Sequence, residues 1–71
     1  MARPKKHSLT LRGHRTSVSL EDEFWQAFTE IAARRGLSVN ELAARIDAER
    51  GMESGLASAI RLFVLAELRT R

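Results

Sequence analysis

The chain of 71 residues contains no cysteine and no tyrosine, and only one proline. Without cysteine it has no disulfide and no thiolate metal site, and nothing in its composition points to an oxidising compartment. Its longest apolar block, residues 62–66, is far shorter than the roughly 20 residues that a membrane-spanning helix needs. The basic start leads into no sustained apolar run, so we expect no secretion signal and a cytoplasmic protein.

Positive charge is concentrated at the start of the chain. Residues 1–20 hold five basic residues and no acid, while residues 21–71 hold seven basic and nine acidic residues, so the two parts sum to +5 and −2. Basic segments attract polyanions by releasing counterions from phosphates, although short basic termini can also serve solubility alone. The asymmetry favours a nucleic-acid partner for the first part of the chain.

The segment from His14 to Leu20 alternates in the manner of a half-buried strand. One face carries Thr16, Val18 and Leu20, and the other face carries Arg15, Ser17 and Ser19. A single short strand is not stable alone, and a chain of this size is near the lower limit for a closed core. We therefore expect residues 15–20 to pair with the same strand of a second copy, as a two-stranded antiparallel ribbon across a two-fold axis.

Residues 8–11 repeat the pattern of the strand nine residues earlier and leave two alternatives open. They form a second strand that folds back in a hairpin with Gly13 in the turn, or they extend the ribbon strand with a bulge at Gly13. Because no Asn-Gly or Asp-Gly turn signal is present, the extension or an irregular basic arm is favoured slightly. Residues 1–7 are expected to be a flexible arm.

Three helices are predicted after the strand. Helix 1 spans residues 21–35, with capping-box spacing between Ser19 and Asp22 and a left-handed C-cap at Gly36. Helix 2 opens with a capping box of Ser38 and Glu41 and runs to about Glu49. After a connection over residues 50–53, helix 3 begins near residue 54 or 56 and ends near residue 69.

Helix 3 is apolar around most of its circumference, so we expect it to be buried on several sides. One copy of the chain is too small to enclose it, so we expect it to pack on helix 1, with Trp25 as its docking site, and on a partner copy. The predicted oligomer interface consists of Leu56, Ile60, Phe63 and Val64.

The order of strand, helix, turn and helix, with Gly36-Leu37-Ser38-Val39-Asn40 as the turn, resembles the ribbon-helix-helix superfamily of bacterial repressors. The resemblance covers about residues 15–47, and residues 13–25 look like a small subgroup that carries an added C-terminal helix. It implies a mainly α fold with one short N-terminal β-strand, in which two chains form an intertwined dimer and their ribbon enters the major groove of DNA.

The resemblance also implies roles for individual residues. Arg15, Ser17 and Ser19 fall on strand positions that face bases, and Ser38, Val39 and Asn40 fall on the turn and helix start that hold phosphates. Further phosphate contacts are expected from the basic region, namely Lys5, Lys6, Arg12 and His14. The expected dimer core comprises Thr16, Val18, Leu20, Phe24, Phe28, Ile31, Val39, Leu42 and Ile46.

We divide the chain into a basic arm at 1–13, a ribbon-helix-helix core at 14–50 and an oligomerising helix at 51–71. The sequence predicts a non-enzymatic, sequence-specific DNA-binding regulator, a transcriptional repressor that forms homodimers or larger oligomers. No metal or cofactor is expected, because the two histidines have no cysteine or carboxylate at ligand spacing. The alternative is an antitoxin or protein-interaction module that uses helix 3, with DNA binding secondary or absent.

Overall fold

The computed structural model describes residues 3–50 and 55–70, and these form a hairpin followed by three helices. The elements are strands β1 (Lys5–Leu11) and β2 (His14–Leu20) and helices α1 (Asp22–Arg34), α2 (Val39–Glu49) and α3 (Leu56–Arg69). The two strands make one antiparallel sheet, and the helices cover its inner face. The expected mainly α fold with an N-terminal ribbon is confirmed.

The strand expected over residues 14–20 is present, but it pairs within its own chain. β1 lies antiparallel to β2, with Leu11 opposite His14 and a two-residue turn at Arg12 and Gly13. Both turn residues have positive φ, +52° and +83°, as a type I′ hairpin turn requires. The preference for an extension or an irregular arm over residues 8–11 is therefore wrong, and so is the expected flexible arm at residues 5–7, because both belong to β1. The ribbon has two strands in each chain.

Helix α1 follows β2 after one residue and ends as the sequence predicts. Gly36 has a φ of +70°, and the N–H of Leu37 donates to the carbonyl of Ala32 at 2.9 Å, which is the six-residue bond of a Schellman cap. The expected N-terminal capping box of Ser19 and Asp22 is not formed. Glu21 occupies the N-cap position without a side-chain cap, and Asp22 is already the first helical residue.

Helix α2 begins with the complete capping box that its sequence predicts. Ser38 Oγ accepts from the N–H of Glu41 at 3.0 Å, and Glu41 Oε1 accepts from the N–H of Ser38 at 2.9 Å. These two reciprocal bonds satisfy donors that a helix start otherwise leaves open.

Helix α3 buries one face against the rest of its own chain. Ile60 and Val64 are fully enclosed, whereas Leu62, Leu65 and Leu68 are 64%, 48% and 46% exposed. One copy therefore encloses only part of the helix, as expected from its size, and burial of the remaining leucines on a partner copy stays a prediction. The predicted connection at 50–53 falls largely outside the described residues. Among the described residues, no helix is long and apolar enough to span a bilayer.

The core lies between the inner face of the hairpin and the three helices. The sequence assigned much of it to a dimer interface, but the structure buries these side chains within a single chain, where β1 contributes Leu9 and Leu11 to cover them. Thr16 is exposed, Phe24 and Val39 are partly buried, and the remaining members are buried: Val18, Leu20, Phe28, Ile31, Leu42 and Ile46.

Trp25 packs against β1. Its ring stacks on the imidazole of His7, with centroids 3.9 Å apart and planes within 6°, and it also meets Phe28 at 6.1 Å. The sequence named Trp25 as the docking site for helix 3, and the stacking on β1 corrects this. His7 lies in a segment that was expected to be a flexible arm. The sequence therefore did not predict that His7 would stack on Trp25.

Candidate nucleic-acid interface

The outward face of the hairpin is a row of polar side chains on each strand. Antiparallel partners share a face, so the register places Lys6 opposite Ser19, Ser8 opposite Ser17, and Thr10 opposite Arg15. All of these side chains are exposed. The predicted base-contacting residues Arg15, Ser17 and Ser19 are thus brought together, and β1 adds a second row beside them.

This outward face carries positive charge and no negative charge. Its charged members are Lys6 and Arg15, at opposite ends of the two rows, and the positions between them hold only hydroxyls. A guanidinium presents a planar fork of donors, while a serine or threonine hydroxyl both donates and accepts. Such a face suits the phosphates and base edges of nucleic acid, and it offers nothing that would repel a polyanion.

Other predicted phosphate contacts lie off this face. Lys5 lies on the inner side of the sheet edge and forms an exposed ion pair with Asp22 at 3.2 Å. His14 also belongs to the inner face, where it lines a groove of about 360 Å³ with Leu11 and Thr16. Arg12 is exposed at the turn, with a backbone φ of +52°. Only Lys6 among the predicted basic contacts of the first strand shares the face of Arg15.

The start of α2 is attached to the outer edge of β1. The N–H of Thr10 donates to Asn40 Oδ1 at 3.0 Å, across 30 residues of sequence. This bond places the first turn of α2, with Ser38 and Val39, next to the end of the outward face that carries Thr10 and Arg15. Bonds from Ser38 hold the pKa of Glu41 below its ordinary value.

The outer edge of β2 has backbone groups that face away from β1. In a hairpin closed by a two-residue turn, the residues flanking the turn exchange both ladder bonds, and every second pair points its N–H and C=O outward. On β2 these outward groups belong to Arg15, Ser17 and Ser19. The carbonyl of Ser19 accepts from Arg61 Nη2 at 3.3 Å, while no described residue bonds to the outward groups of Arg15 and Ser17.

A family model for the ribbon-helix-helix domain matches residues 4–68 of the chain. The chain belongs to the ribbon-helix-helix family. No curated protein and no solved structure matches it. Members of the family are typically non-enzymatic DNA-binding regulators that dimerise, and the match includes both β1 and α3, which lie outside the segment that carried the resemblance.

In this ribbon-helix-helix protein, α3 is anchored at the junction of β2 and α1. Arg61 Nε donates to Glu21 Oε1 at 2.9 Å, and Nη2 forms an ion pair with the same oxygen at 2.9 Å. The guanidinium lies 5.9 Å from the ring centroid of Phe24. The bond and charge of Arg61 lower the pKa of Glu21 below its ordinary value. At its other end α3 is held by an ion pair between Glu67 and Arg35, whose guanidinium lies 5.1 Å from the ring of Phe63.

The four residues predicted for an oligomer interface on α3 lie against the core of their own chain, and the interface itself stays a prediction. Ile60 and Val64 are 0% and 1% exposed and pack inside the chain, and Leu56 and Phe63 are partly buried against the same core. The face that reaches solvent carries Leu62, Leu65 and Leu68. A helix that is apolar all round gives no periodic signal from which the inward face could be chosen.

Sequence reasoning also missed the row contributed by β1. Ser8 and Thr10 were not assigned to any site, although the alternation of Lys6, Ser8 and Thr10 with His7 and Leu9 is the same signal that identified β2. The role of Arg61 had no signal of that kind. Its partners lie 40 and 42 residues away and are brought to it only by the packing of α3.

Proposed function

We propose that this chain is a sequence-specific DNA-binding transcriptional regulator, and that it acts as a repressor in the cytoplasm. The observation that carries the proposal is the outward face of the hairpin, which is exposed, hydroxyl-rich, cationic and free of acids. A major groove about 12 Å wide admits a two-stranded ribbon, and each base pair presents a distinct pattern of donors and acceptors there.

Within this proposal, the three outward side chains of β2 read the bases. Arg15 donates in bidentate fashion to the O6 and N7 atoms of guanine, and the hydroxyls of Ser17 and Ser19 make the neighbouring contacts. Because Arg15 is long and Ser17 and Ser19 are short, we expect one base pair in each half-site to carry most of the discrimination between DNA sequences. We expect that base pair to tolerate substitution least.

The phosphate backbone is held by groups beside the ribbon. The backbone amides of Val39 and Asn40 follow the N-cap Ser38 and lie at the positive end of the α2 dipole. The hydrogen bond from Thr10 to Asn40 keeps these amides next to the outward face. The remaining predicted phosphate contacts are Lys5, Lys6, Arg12 and His14. These contacts set affinity and salt dependence but carry no sequence information.

We further propose that the regulator is a homodimer, formed by the outer edges of two β2 strands. The outward backbone groups of Arg15 and Ser17 support this, because another extended strand would satisfy all of them. The two β2 strands then lie at the centre of a four-stranded sheet and enter the groove. With strands about 4.8 Å apart, the outer rows on β1 meet the groove walls, where Lys6, Ser8 and Thr10 face phosphates.

The exposed leucines of α3 favour a second candidate function. An antitoxin or protein-interaction module would use such a surface to hold another polypeptide, and DNA binding would then be secondary. A tagged chain that co-purifies with one protein in stoichiometric amount, and that shows no preference among DNA sequences, would support this candidate over the repressor.

The direct test of the proposed function is selection of bound fragments from random double-stranded DNA at physiological salt, with the mass of the protein measured in parallel. We expect enrichment of a short inverted repeat with a guanine in each half, bound by a dimer. Recovery of unselected sequence, with affinity that depends on salt alone, would contradict sequence-specific regulation.

A further inference from the structure

The inner face of β2 is apolar at one end and polar at the other. Val18 and Leu20 are buried under the helices. Thr16 and His14 lie on the same face, two and four residues before Val18, and both are exposed. A strand face that packs on a core is expected to be apolar. Packing therefore does not account for the two polar side chains at the start of β2.

This polar end borders a groove at which the hairpin, α2 and α3 meet. The groove has a volume of about 360 Å³, and sites for small molecules typically have about 300–1,000 Å³. Its described apolar lining residues are Leu11, Ala44 and Leu56, and the remaining lining is polar or charged. We call it the hairpin groove. A lining of mixed character suits a ligand that has both a polar and an apolar part.

The lining of the hairpin groove carries a net positive charge among the described residues. Asp47 is the one acid that the structure describes there, and its Oδ1 accepts from Arg50 Nε at 2.7 Å. Arg50 therefore offsets the charge of this carboxylate. Arg12 also lines the groove and forms no ion pair with another described residue. Its guanidinium supplies the excess charge, so the groove attracts an anion.

The hairpin groove also offers several hydrogen-bond donors close together in the chain. Neither His14 nor Thr16 makes a side-chain hydrogen bond to another described residue, and both line the groove within four residues of Arg12. A guanidinium, an imidazole N–H and a hydroxyl are all donors to a carboxylate, and the guanidinium presents its donors as a planar fork. These three side chains therefore match a compact anionic group.

The backbone of Arg12 supports a binding role for its side chain. Its φ of +52° lies in the left-handed region, which glycine and asparagine occupy at lower cost than arginine. Strained backbone of this kind is found preferentially at functional sites, where the side chain is needed in spite of its cost. A contact between the guanidinium and a ligand accounts for an arginine at this position.

We propose that the hairpin groove binds a small organic carboxylate, and that the bound ligand weakens the hold of the protein on DNA. The carboxylate lies against Arg12, His14 and Thr16, and the apolar part of the ligand lies against the leucine and alanine side chains of the lining. Arg12 is also a proposed phosphate contact, so a ligand in the groove takes this cation away from the duplex. Ligand binding stands on the groove alone, whereas the effect on DNA rests on the proposed function.

The first experiment is an NMR titration of the intact ¹⁵N-labelled chain with benzoate. Benzamide has the same shape without the charge and serves as the control ligand. We expect benzoate to shift the backbone amides of His14, Ala44 and Leu56, which line the groove. Because the anion is recognised by charge-assisted hydrogen bonds, benzoate should bind at least about tenfold more tightly than benzamide.

Two matched variants test which side chain holds the anion. R12Q keeps a long polar side chain at the same backbone position but removes the charge, so it should weaken benzoate binding by at least about tenfold. R45Q makes the same change at an exposed arginine that is next to Ala44 in the chain and outside the groove lining, and it should leave the affinity within about twofold. Circular dichroism verifies that both variants are folded.

Three results would overturn the ligand site. They are equal binding of benzoate and benzamide, benzoate binding by folded R12Q that equals the wild type, and shifts confined to the separate apolar groove beside Ile46 and Phe63. Each of them would show that Arg12 and its neighbours do not recognise the carboxylate.

The effect on DNA is measured by fluorescence anisotropy with a selected duplex at constant ionic strength. Saturating benzoate, but not benzamide, should weaken binding of the wild type by about threefold to tenfold, and R12Q should not respond. A wild-type protein that binds benzoate in the groove and holds the duplex equally well would overturn the release of DNA. A chain that prefers no DNA sequence would contradict the proposed function, while the NMR titration would still decide whether the groove binds the carboxylate.

Discussion

The backbone N–H of Thr10 donates to Asn40 Oδ1 at 3.0 Å, and this bond joins the hairpin to the first turn of α2. This hydrogen bond holds the outward face of β1 next to the backbone amides at the start of α2. A ribbon that reads bases and a helix start that holds a phosphate must keep a fixed spacing along the duplex. Asn40 is the side chain that connects the two.

Two substitutions at Asn40 should separate its structural role from its effect on DNA. N40A removes the acceptor of the Thr10 bond and should lower the free energy of unfolding by about 0.5–1.5 kcal/mol in urea. N40D keeps an acceptor oxygen and should unfold nearly like the wild type, but its charge beside the phosphate should weaken DNA binding. Equal affinity of N40D and the wild type at low salt would contradict a phosphate at this helix start.

Arg15 and Lys6 lie on the same face but should respond differently to substitution. R15A should cost about 1–3 kcal/mol in binding to the selected sequence and relax the preference at one base pair. K6Q should weaken binding to all sequences alike and reduce the slope of affinity against salt by about one. Fluorescence-anisotropy titrations on selected and scrambled duplexes measure both effects, and identical behaviour of the two variants would reject the assignment.

The open edge of β2 can be tested with proline, which lacks the donor that a new strand needs. Ser17 and Ser8 face each other across the hairpin, and neither N–H takes part in the ladder between β1 and β2. S17P should therefore prevent dimerisation, while S8P places the same change on β1 and should leave the dimer intact. Sedimentation measures whether each variant dimerises, and circular dichroism verifies that each is folded. A folded S17P protein that still dimerises would exclude pairing through β2.

Acid should weaken the junction that anchors α3. Arg61 lowers the pKa of Glu21 in the folded chain below its ordinary value of 4.5, so the carboxylate contributes stability above that pH and loses it as the pH falls through the lowered pKa. E21Q should lower the urea midpoint at neutral pH and have little effect well below pH 4.5. The control is E23Q, an acid on the same helix without an ion pair among the described residues; a pH-independent effect of E21Q would contradict the linkage.

Substitution of Arg12 in the hairpin turn should change stability and DNA affinity in opposite directions. Arg12 has a φ of +52°, a region that costs most L-residues about 1–2 kcal/mol and that asparagine occupies more readily. R12N should raise the midpoint of thermal unfolding while weakening DNA binding by removal of a cation. G13A, at a φ of +83°, should lower the midpoint. A destabilised R12N would indicate that the arginine side chain contributes more than its backbone strain costs.

Local rules predicted the parts of the fold that local bonds determine. The capping box of Ser38 and Glu41 and the left-handed cap at Gly36 each depend on residues within a few positions of one another, and both are present. The alternation of β2 likewise identified the three side chains of its outward face. These features needed no knowledge of the tertiary structure.

Features that depend on distant partners could not be predicted in this way. The hairpin turn uses an arginine at positive φ, which no turn rule favours, so the hairpin was the less favoured of the two alternatives for residues 8–11. Once β1 is in place, it covers the helices and closes the core in one chain. Ile60 and Val64 of α3 pack into this core, and the helix is paired with Glu21 and Arg35, which lie far away in the sequence.

The central claim is that Arg15 reads guanine from the major groove. Methylation interference on a selected duplex tests it most directly, because dimethyl sulfate modifies guanine at N7 in the major groove and adenine at N3 in the minor groove. We predict that methylation of one guanine in each half-site blocks binding of the wild type, and that R15A loses this sensitivity. Interference confined to adenine N3, or the same guanine sensitivity in R15A as in the wild type, would contradict the account.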